Sequence, residues 1–122
     1  VDVILPAGGI LDDHFAKVAL TPYKALMKAG GPALILQAMI ALQESGRIGK
    51  VVLVAPDEVA AAAGDRVDIV VKDTGSLSTN VKFGLQELVN GGLSSSRVLI
   101  LTTDLPYITG KMINDFLDLC PK

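Results

Sequence analysis

The chain has little of several features that mark particular classes of protein. It contains one cysteine, Cys120, so no disulfide can form within the chain, which suits a reducing compartment. Aromatic residues are only 4% of the total, which argues against the aromatic platforms that stack on single-stranded nucleic acid. No apolar run reaches the roughly 18 residues of a membrane span, and the first residues lack the basic segment of a signal peptide. We therefore expect a cytoplasmic protein.

The chain also lacks an excess of charge of either sign. Eleven basic and 13 acidic side chains give a formal net charge of -2. Without a broad basic field, neither nucleic acid nor an anionic membrane is an expected partner. The single histidine, His14, forms no cluster, so a zinc site is not expected. Hydrophobic residues make up 50% of the 122 residues, which is enough for the core of one domain.

Short apolar segments alternate with segments of helical spacing along the whole chain. The apolar segments are rich in β-branched residues and end at glycine, proline or aspartate, which predicts strands at 2–6, 51–54, 67–71 and 98–101. Between them, helices are predicted to begin at Pro32, at Val59, after an N-cap at Ser78, and at Lys111. The third of these would turn Val81, Leu85, Leu88 and Val89 towards the core.

This alternation predicts an α/β fold of three αβα layers. A Rossmann-like parallel sheet would be covered by helices on both faces through right-handed crossovers. The usual doubly wound arrangement gives the strand order 3-2-1-4, and ligands bind where strands one and four diverge, at their carboxyl ends. The segments expected to meet there are Ala7-Gly8-Gly9 and Thr103-Asp104.

The run Pro6-Ala7-Gly8-Gly9, at the end of strand one, is the strongest candidate for a phosphate cradle. Glycine tolerates positive φ, so successive backbone N–H groups can turn towards an anion. An ordinary tight turn is the alternative. The chain contains neither the dinucleotide-binding G-x-G-x-x-G nor the P-loop pattern. The long segment 10–31, with a helical turn predicted around 15–18, carries Lys24, which either neutralises the phosphates or is a surface charge.

Two further groups complete the candidate site. Asp104 follows strand four and precedes a proline, a position that suits a divalent cation as well as an ordinary turn. A polar cluster follows strand three, where short hydroxyl and amide groups can bind a base or phosphate or simply cap the next helix. The residues singled out in this cluster are Gly75, Ser76, Ser78 and Asn80.

Taken together, four short motifs resemble those of the GT-A-type nucleotidyltransferases. The chain is similar in particular to the molybdenum cofactor guanylyltransferases and to the cytidylyltransferases that act on methylerythritol phosphate. The motifs occur in the family's order and span nearly the whole chain: Pro6-Ala7-Gly8-Gly9, Pro22-x-Lys24-Ala25-Leu26, Gly30-Gly31-Pro32-Ala33-Leu34 and Asp104-Leu105-Pro106.

The resemblance implies an enzyme that transfers a nucleoside monophosphate from CTP or GTP to a small phosphorylated acceptor, with release of pyrophosphate. It implies that the backbone of 6–9 holds the triphosphate and that Lys24, the catalytic candidate, binds its charge. By the same resemblance, the cluster at Gly75, Ser76, Ser78 and Asn80 lies near the base. Asp104 would bind Mg²⁺, the implied cofactor.

The resemblance also leaves alternatives open. The family pattern Gly-x-Gly-x-Arg is replaced here by Gly9-Ile10-Leu11-Asp12-Asp13, so no arginine stands at the expected place. One alternative is therefore a non-catalytic nucleotide-binding or regulatory module. Another is a domain that associates with a partner or with copies of itself. The resemblance implies one domain over 1–122 that is truncated on its C-terminal side, as the nucleotide-binding half of a longer enzyme.

Overall fold

The computed structural model describes residues 1–28, 31–92, 97–103 and 107–120. The strands are β1 (Asp2–Pro6), β2 (Val51–Ala55), β3 (Ile69–Lys72) and β4 (Val98–Ile100). The α-helices are α1 (Asp13–Ala19), α2 (Leu34–Ser45), α3 (Asp57–Ala63), α4 (Leu77–Asn90) and α5 (Gly110–Leu119). Two short 3-10 helices lie at Lys24–Leu26 and Gly64–Arg66.

The four strands form one parallel sheet in the order β3-β2-β1-β4, which confirms the predicted topology. In the register, Val3 lies opposite Val51, and Ile4 lies opposite Ile100. Every residue of β1 and β2 is buried, as expected for the two inner strands of a sheet covered on both faces. Strands β2 and β3 are added on one side of β1, and β4 is added on the other side. The carboxyl ends of β1 and β4 therefore flank the switch point of the sheet.

The two faces of the sheet have cores of different size. The larger core packs Val3 and Leu5 of β1 against α2, α3 and α5. The smaller core packs Ile4 against Leu88 of α4, and a methyl group on Gly84 would lie 2.8 Å from Cγ2 of Ile4. Because α4 lies this close to β1, its buried face is narrow, and the predicted burial of two α4 residues is wrong. The two are Leu85 and Val89, which are 42% and 58% exposed.

Three further element starts differ from the predictions. Helix α3 begins at Asp57 rather than Val59, directly after its N-cap Pro56. Helix α2 begins at Leu34 rather than Pro32, because Ala33 is still extended and pairs with Lys28 across an isolated antiparallel bridge. Strand β3 begins at Ile69 rather than at residue 67, because the 3-10 helix before it ends only at Arg66. The helical turn predicted around 15–18 is confirmed as part of α1.

None of the helices in the described ranges combines the length and the apolar character that crossing a bilayer requires.

Candidate functional site

A cleft opens at the carboxyl edge of the sheet. Its volume is about 240 Å³, and it is formed by the segments that follow β1, β3 and β4 together with the first turn of α4. It therefore lies at the switch point and extends along the sheet to β3. Within the described ranges it is lined by Pro6, Gly8, Gly9, Lys24, Asp73, Gly75, Leu77, Asn80, Thr102 and Thr103.

The predicted phosphate cradle divides into a part that belongs to the sheet and a part that faces the cleft. The Ala7 N–H donates to the Val54 carbonyl at 2.8 Å, and Ala7 is buried in the core. By contrast, the N–H groups of Gly8 and Gly9 have no acceptor among the described residues. Backbone N–H groups need a partner once water is excluded, so these two are the donors available to a bound anion.

The structure favours glycine at position 8 for a different reason from the one predicted. Neither Gly8 nor Gly9 has a positive φ, so the expected left-handed backbone is not adopted here. Instead, a methyl group on Gly8 would lie 2.3 Å from Oδ1 of Asp73, far inside van der Waals contact. A methyl group on Gly9 would lie 3.5 Å from Cβ of Lys24, which is an ordinary contact. Glycine at position 8 thus allows the close approach of a carboxylate.

Lys24 reaches the cleft because the segment after β1 folds back on itself. The Leu11 N–H donates to the Pro22 carbonyl at 2.8 Å, and the Lys24 N–H donates to the Gly9 carbonyl at 3.0 Å, as in a short antiparallel pairing. Lys24 then begins a 3-10 helix that is anchored by Ala25, which is fully buried. Main-chain pairing therefore places the predicted phosphate-binding lysine beside Gly9.

Tyr23, on the returning arm of this pairing, packs against the larger core. Interaction of its hydroxyl with the Glu58 carboxylate raises the pKa of Tyr23 above its usual 10.0, with burial and the charges of Glu58 and Asp57 acting in the same direction.

Asp73 is the carboxylate of the described part of the cleft, and it is not among the residues predicted from the sequence. Its Oδ1 accepts from Nδ2 of Asn80 at 2.6 Å and from the Gly75 N–H at 3.2 Å. Gly75 has φ 84°, a left-handed conformation that favours glycine. The available signal was the same as for Asp104: an acidic residue that directly follows a strand of a parallel sheet.

Asn80 lies at the cleft wall but makes most of its hydrogen bonds within the protein. It is 3% exposed, and its Oδ1 accepts from the N–H of Thr74 at 2.9 Å and from the hydroxyl of Thr74 at 2.6 Å. Together with the bond to Asp73, these contacts join the first turn of α4 to the turn after β3.

The two predicted serines lie beside the cleft rather than in its described lining. Ser76 is the N-cap of α4, and its hydroxyl accepts from the Thr79 N–H at 3.5 Å. The prediction that Ser78 is the N-cap is wrong, because the helix starts one residue before it, at Leu77. The hydroxyl oxygens of Ser76 and Ser78 are 3.2 Å apart. Contact of either serine with a nucleotide stays a prediction.

The end of β4 contributes Thr102 and Thr103 to the cleft, opposite the glycines that follow β1. Thr103 is buried, and its position confirms that the segments after β1 and β4 meet. Asp104, the predicted metal ligand, lies outside the described residues. No group of three or more histidine, cysteine, aspartate or glutamate side chains suited to a metal occurs in the described ranges.

Comparisons with known proteins support the fold. The chain superposes on a hypothetical transferase from Thermus thermophilus with a TM-score of 0.76 and 24% identity, over 99% of this chain and 47% of that one. It superposes on a nucleotidyl transferase from Methanothermobacter thermautotrophicus with a TM-score of 0.74 and 19% identity, over 97% of this chain and 56% of that one. The chain thus spans about half the length of each. No family model matches the chain, and no curated protein does.

Proposed function

We propose that this chain is the nucleotide-binding part of a nucleotidyltransferase, which transfers a nucleoside monophosphate from an NTP to a small phosphorylated acceptor and releases pyrophosphate. The observation that carries the proposal is the meeting, in one cleft, of Lys24 with the N–H groups of Gly8 and Gly9, for which the described residues offer no acceptor. The shared fold with a nucleotidyl transferase supports it.

In this reaction an oxygen of the acceptor phosphate attacks the α-phosphorus, and the bond from that phosphorus to the pyrophosphate oxygen breaks. Negative charge accumulates on the non-bridging oxygens and on the departing pyrophosphate. The contribution of this chain is to hold the triphosphate with the N–H groups of Gly8 and Gly9 and to offset its charge with Lys24. The hydrogen bond from the Lys24 N–H to the Gly9 carbonyl holds the two segments together before the substrate arrives, which lowers the reorganisation needed during the reaction.

Asp73 is proposed to face the base of the nucleotide. A carboxylate repels phosphate but accepts hydrogen bonds from N–H donors. Guanine presents two adjacent donors, N1–H and the 2-amino group, whereas cytosine presents one amino group. The carboxylate in the cleft therefore favours GTP over CTP as the substrate.

Mg²⁺ is proposed as the cofactor, with Asp104 as its protein ligand. A magnesium ion that arrives with a nucleotide needs only one or two carboxylates, since phosphates and water complete its coordination. A site of that kind fits the cleft edge at Thr102 and Thr103, directly before Asp104, and needs no cage of three protein ligands. When bound, the ion neutralises phosphate charge.

One observation favours a second candidate, a module that binds nucleotide without catalysis. Lys24 is the one basic residue in the lining of the cleft, as far as the chain is described, and the family's arginine has no counterpart in the sequence. A single cation suffices for binding but offers less stabilisation of a transition state. Release of pyrophosphate from GTP in the presence of phosphorylated acceptors would distinguish the enzyme from the module.

The direct test of binding is calorimetric titration with GTP and with CTP, in Mg²⁺ and in EDTA. We expect Mg²⁺-dependent binding that is weakened by Lys24→Ala and by Asp104→Ala. Lys17→Ala is the matched control, because Lys17 lies on α1, away from the cleft. Binding of neither nucleotide by the folded protein, or equal losses from the Lys24 and Lys17 variants, would refute the proposal.

A further inference from the structure

We propose that Asn80 is a positioning residue, which fixes the Asp73 carboxylate for the base of the nucleotide instead of contacting the nucleotide itself. This inference rests on the proposed function, because it assigns a role within the same cleft. It changes the role that the family resemblance implies for Asn80.

Asn80 uses most of its hydrogen-bonding capacity within the protein. A carboxamide oxygen has two lone pairs, and both are used by Thr74, at 2.9 Å from its N–H and 2.6 Å from its hydroxyl oxygen. One amide hydrogen is used by Asp73 at 2.6 Å. With 3% of its surface exposed, Asn80 has little left to offer a ligand.

The Asp73 carboxylate is held by several neighbouring groups. Oδ1 accepts from Asn80 and from the Gly75 N–H, while the backbone of Gly8 lies against the carboxylate on another side. These contacts restrict rotation of the carboxylate. Oδ2 accepts no hydrogen bond within the described part of the chain, which makes it the oxygen available to an N–H donor of a base.

The contacts at position 80 suit the side chain of asparagine. The position requires an acceptor that faces Thr74 and a donor that faces Asp73, at one fixed length. Asparagine supplies both. Aspartate has the same shape and keeps the acceptor, but it loses the donor and places a second negative charge next to Asp73.

A double-mutant cycle tests the inference, with Asn80→Ala, Asp73→Asn and the two combined. Affinity for GTP is measured by calorimetry, and the melting temperature of each variant is recorded. We expect Asn80→Ala to weaken GTP binding roughly tenfold in the native background. The same substitution should weaken GTP binding less than about twofold when Asp73 is already replaced. If Asn80 acts on affinity only through the Asp73 carboxylate, its loss has no further effect once that carboxylate is absent.

Binding of inorganic tripolyphosphate separates a positioning role from a merely structural one. If Asn80 only stabilised the fold of the cleft, Asn80→Ala would also weaken tripolyphosphate binding. Tripolyphosphate lacks a base, so Asn80→Ala should leave its affinity unchanged, whereas Lys24→Ala should lower it. If Asn80→Ala melts below the titration temperature, Asn80→Asp replaces it in the cycle, since it preserves the shape of the side chain.

Additive losses in the cycle would overturn the inference, because they would show that Asn80 contacts the nucleotide independently. Loss of tripolyphosphate binding in the Asn80 variant would also overturn it. If the native protein binds neither GTP nor CTP, the proposed function itself fails, and this result is distinct from the other two.

Discussion

The segment after β1 and the turn after β3 both border the cleft, but they are built in opposite ways. The turn after β3 is four residues long, and its polar groups find hydrogen-bond partners within the protein. Asp73 and Thr74 are both hydrogen-bonded to Asn80, which is buried. The segment after β1 is a long excursion whose helix α1 buries no residue. At its base, Gly8 and Gly9 present N–H groups that the described residues leave without an acceptor.

The difference suggests a division of labour in binding a nucleotide. The turn after β3 is arranged in advance and presents one carboxylate in a fixed orientation, which suits recognition of a base. The excursion after β1 supplies donors and a cation, which suit the triphosphate. Substitutions in the turn should therefore cost stability, whereas those in the excursion should mainly cost affinity. The four predictions below test this contrast, in order of decreasing effect.

Gly8→Ala should have the largest effect, because it joins the two regions. Its methyl group would lie 2.3 Å from Oδ1 of Asp73. We expect the free energy of unfolding to fall by about 2 kcal/mol, as for other overpacked sites. Urea denaturation provides the measurement. Gly9→Ala is the matched control, since a methyl group on Gly9 would come no closer than 3.5 Å to Lys24. An equal loss of unfolding free energy in both variants would contradict the account.

Lys24→Ala should weaken GTP binding roughly tenfold, which corresponds to about 1.4 kcal/mol, because a charged hydrogen-bond donor to the phosphates is lost. Its free energy of unfolding should change little, since the pairing that positions Lys24 uses backbone atoms. Calorimetry and urea denaturation on the same samples measure both quantities. A large loss of stability without a change in affinity would reverse the assignment of the excursion to binding.

Gly75→Ala should destabilise the fold by about 1 kcal/mol, because an L-residue is strained in the left-handed conformation that Gly75 adopts at φ 84°. Gly31→Ala is a suitable comparison, since Gly31 has no positive φ and a methyl group added there would lie 4.0 Å from Nε2 of Gln37. Thermal unfolding of the two variants would reveal the difference. No difference between them would mean that the turn is less constrained than proposed.

Asp12→Ala should have the smallest effect on global stability, below about 0.5 kcal/mol. Asp12 caps α1 by accepting from the Phe15 N–H at 2.9 Å, a contact normally worth about 1 kcal/mol to the helix concerned. Because α1 buries no residue, we expect the helix to fray locally without loosening the core. Hydrogen exchange should quicken in α1 alone, and faster exchange in β1 would count against this separation.

Much of the fold was predictable, because it depends on patterns within short stretches of sequence. The bounds of β1 and the order of the sheet follow from buried apolar runs and from handedness. Errors arose where tertiary contacts decide. Leu85 and Val89 have helical spacing, but the close approach of Gly84 to Ile4 leaves them on the exposed side of α4.

The candidate site was predicted in part. Six of the residues predicted from sequence lie in the described lining of the cleft: Pro6, Gly8, Gly9, Lys24, Gly75 and Asn80. Asp73 was missed because an Asp-Thr-Gly run is typical of a turn, and its position depends on an asparagine seven residues later in α4. The reason for glycine at position 8 was missed for the same cause: it is a contact between the segments that follow β1 and β3, two strands that are not neighbours in the sheet.

The central claim is that a triphosphate binds to the backbone of Gly8 and Gly9, and the most direct measurement is an NMR titration of the glycine-labelled protein with Mg²⁺ and GTP. We predict saturable shifts of the Gly8 and Gly9 amide signals, with Gly46 and Gly64, which lie outside the described lining of the cleft, unchanged. Unchanged signals from Gly8 and Gly9 at saturating GTP would contradict the account.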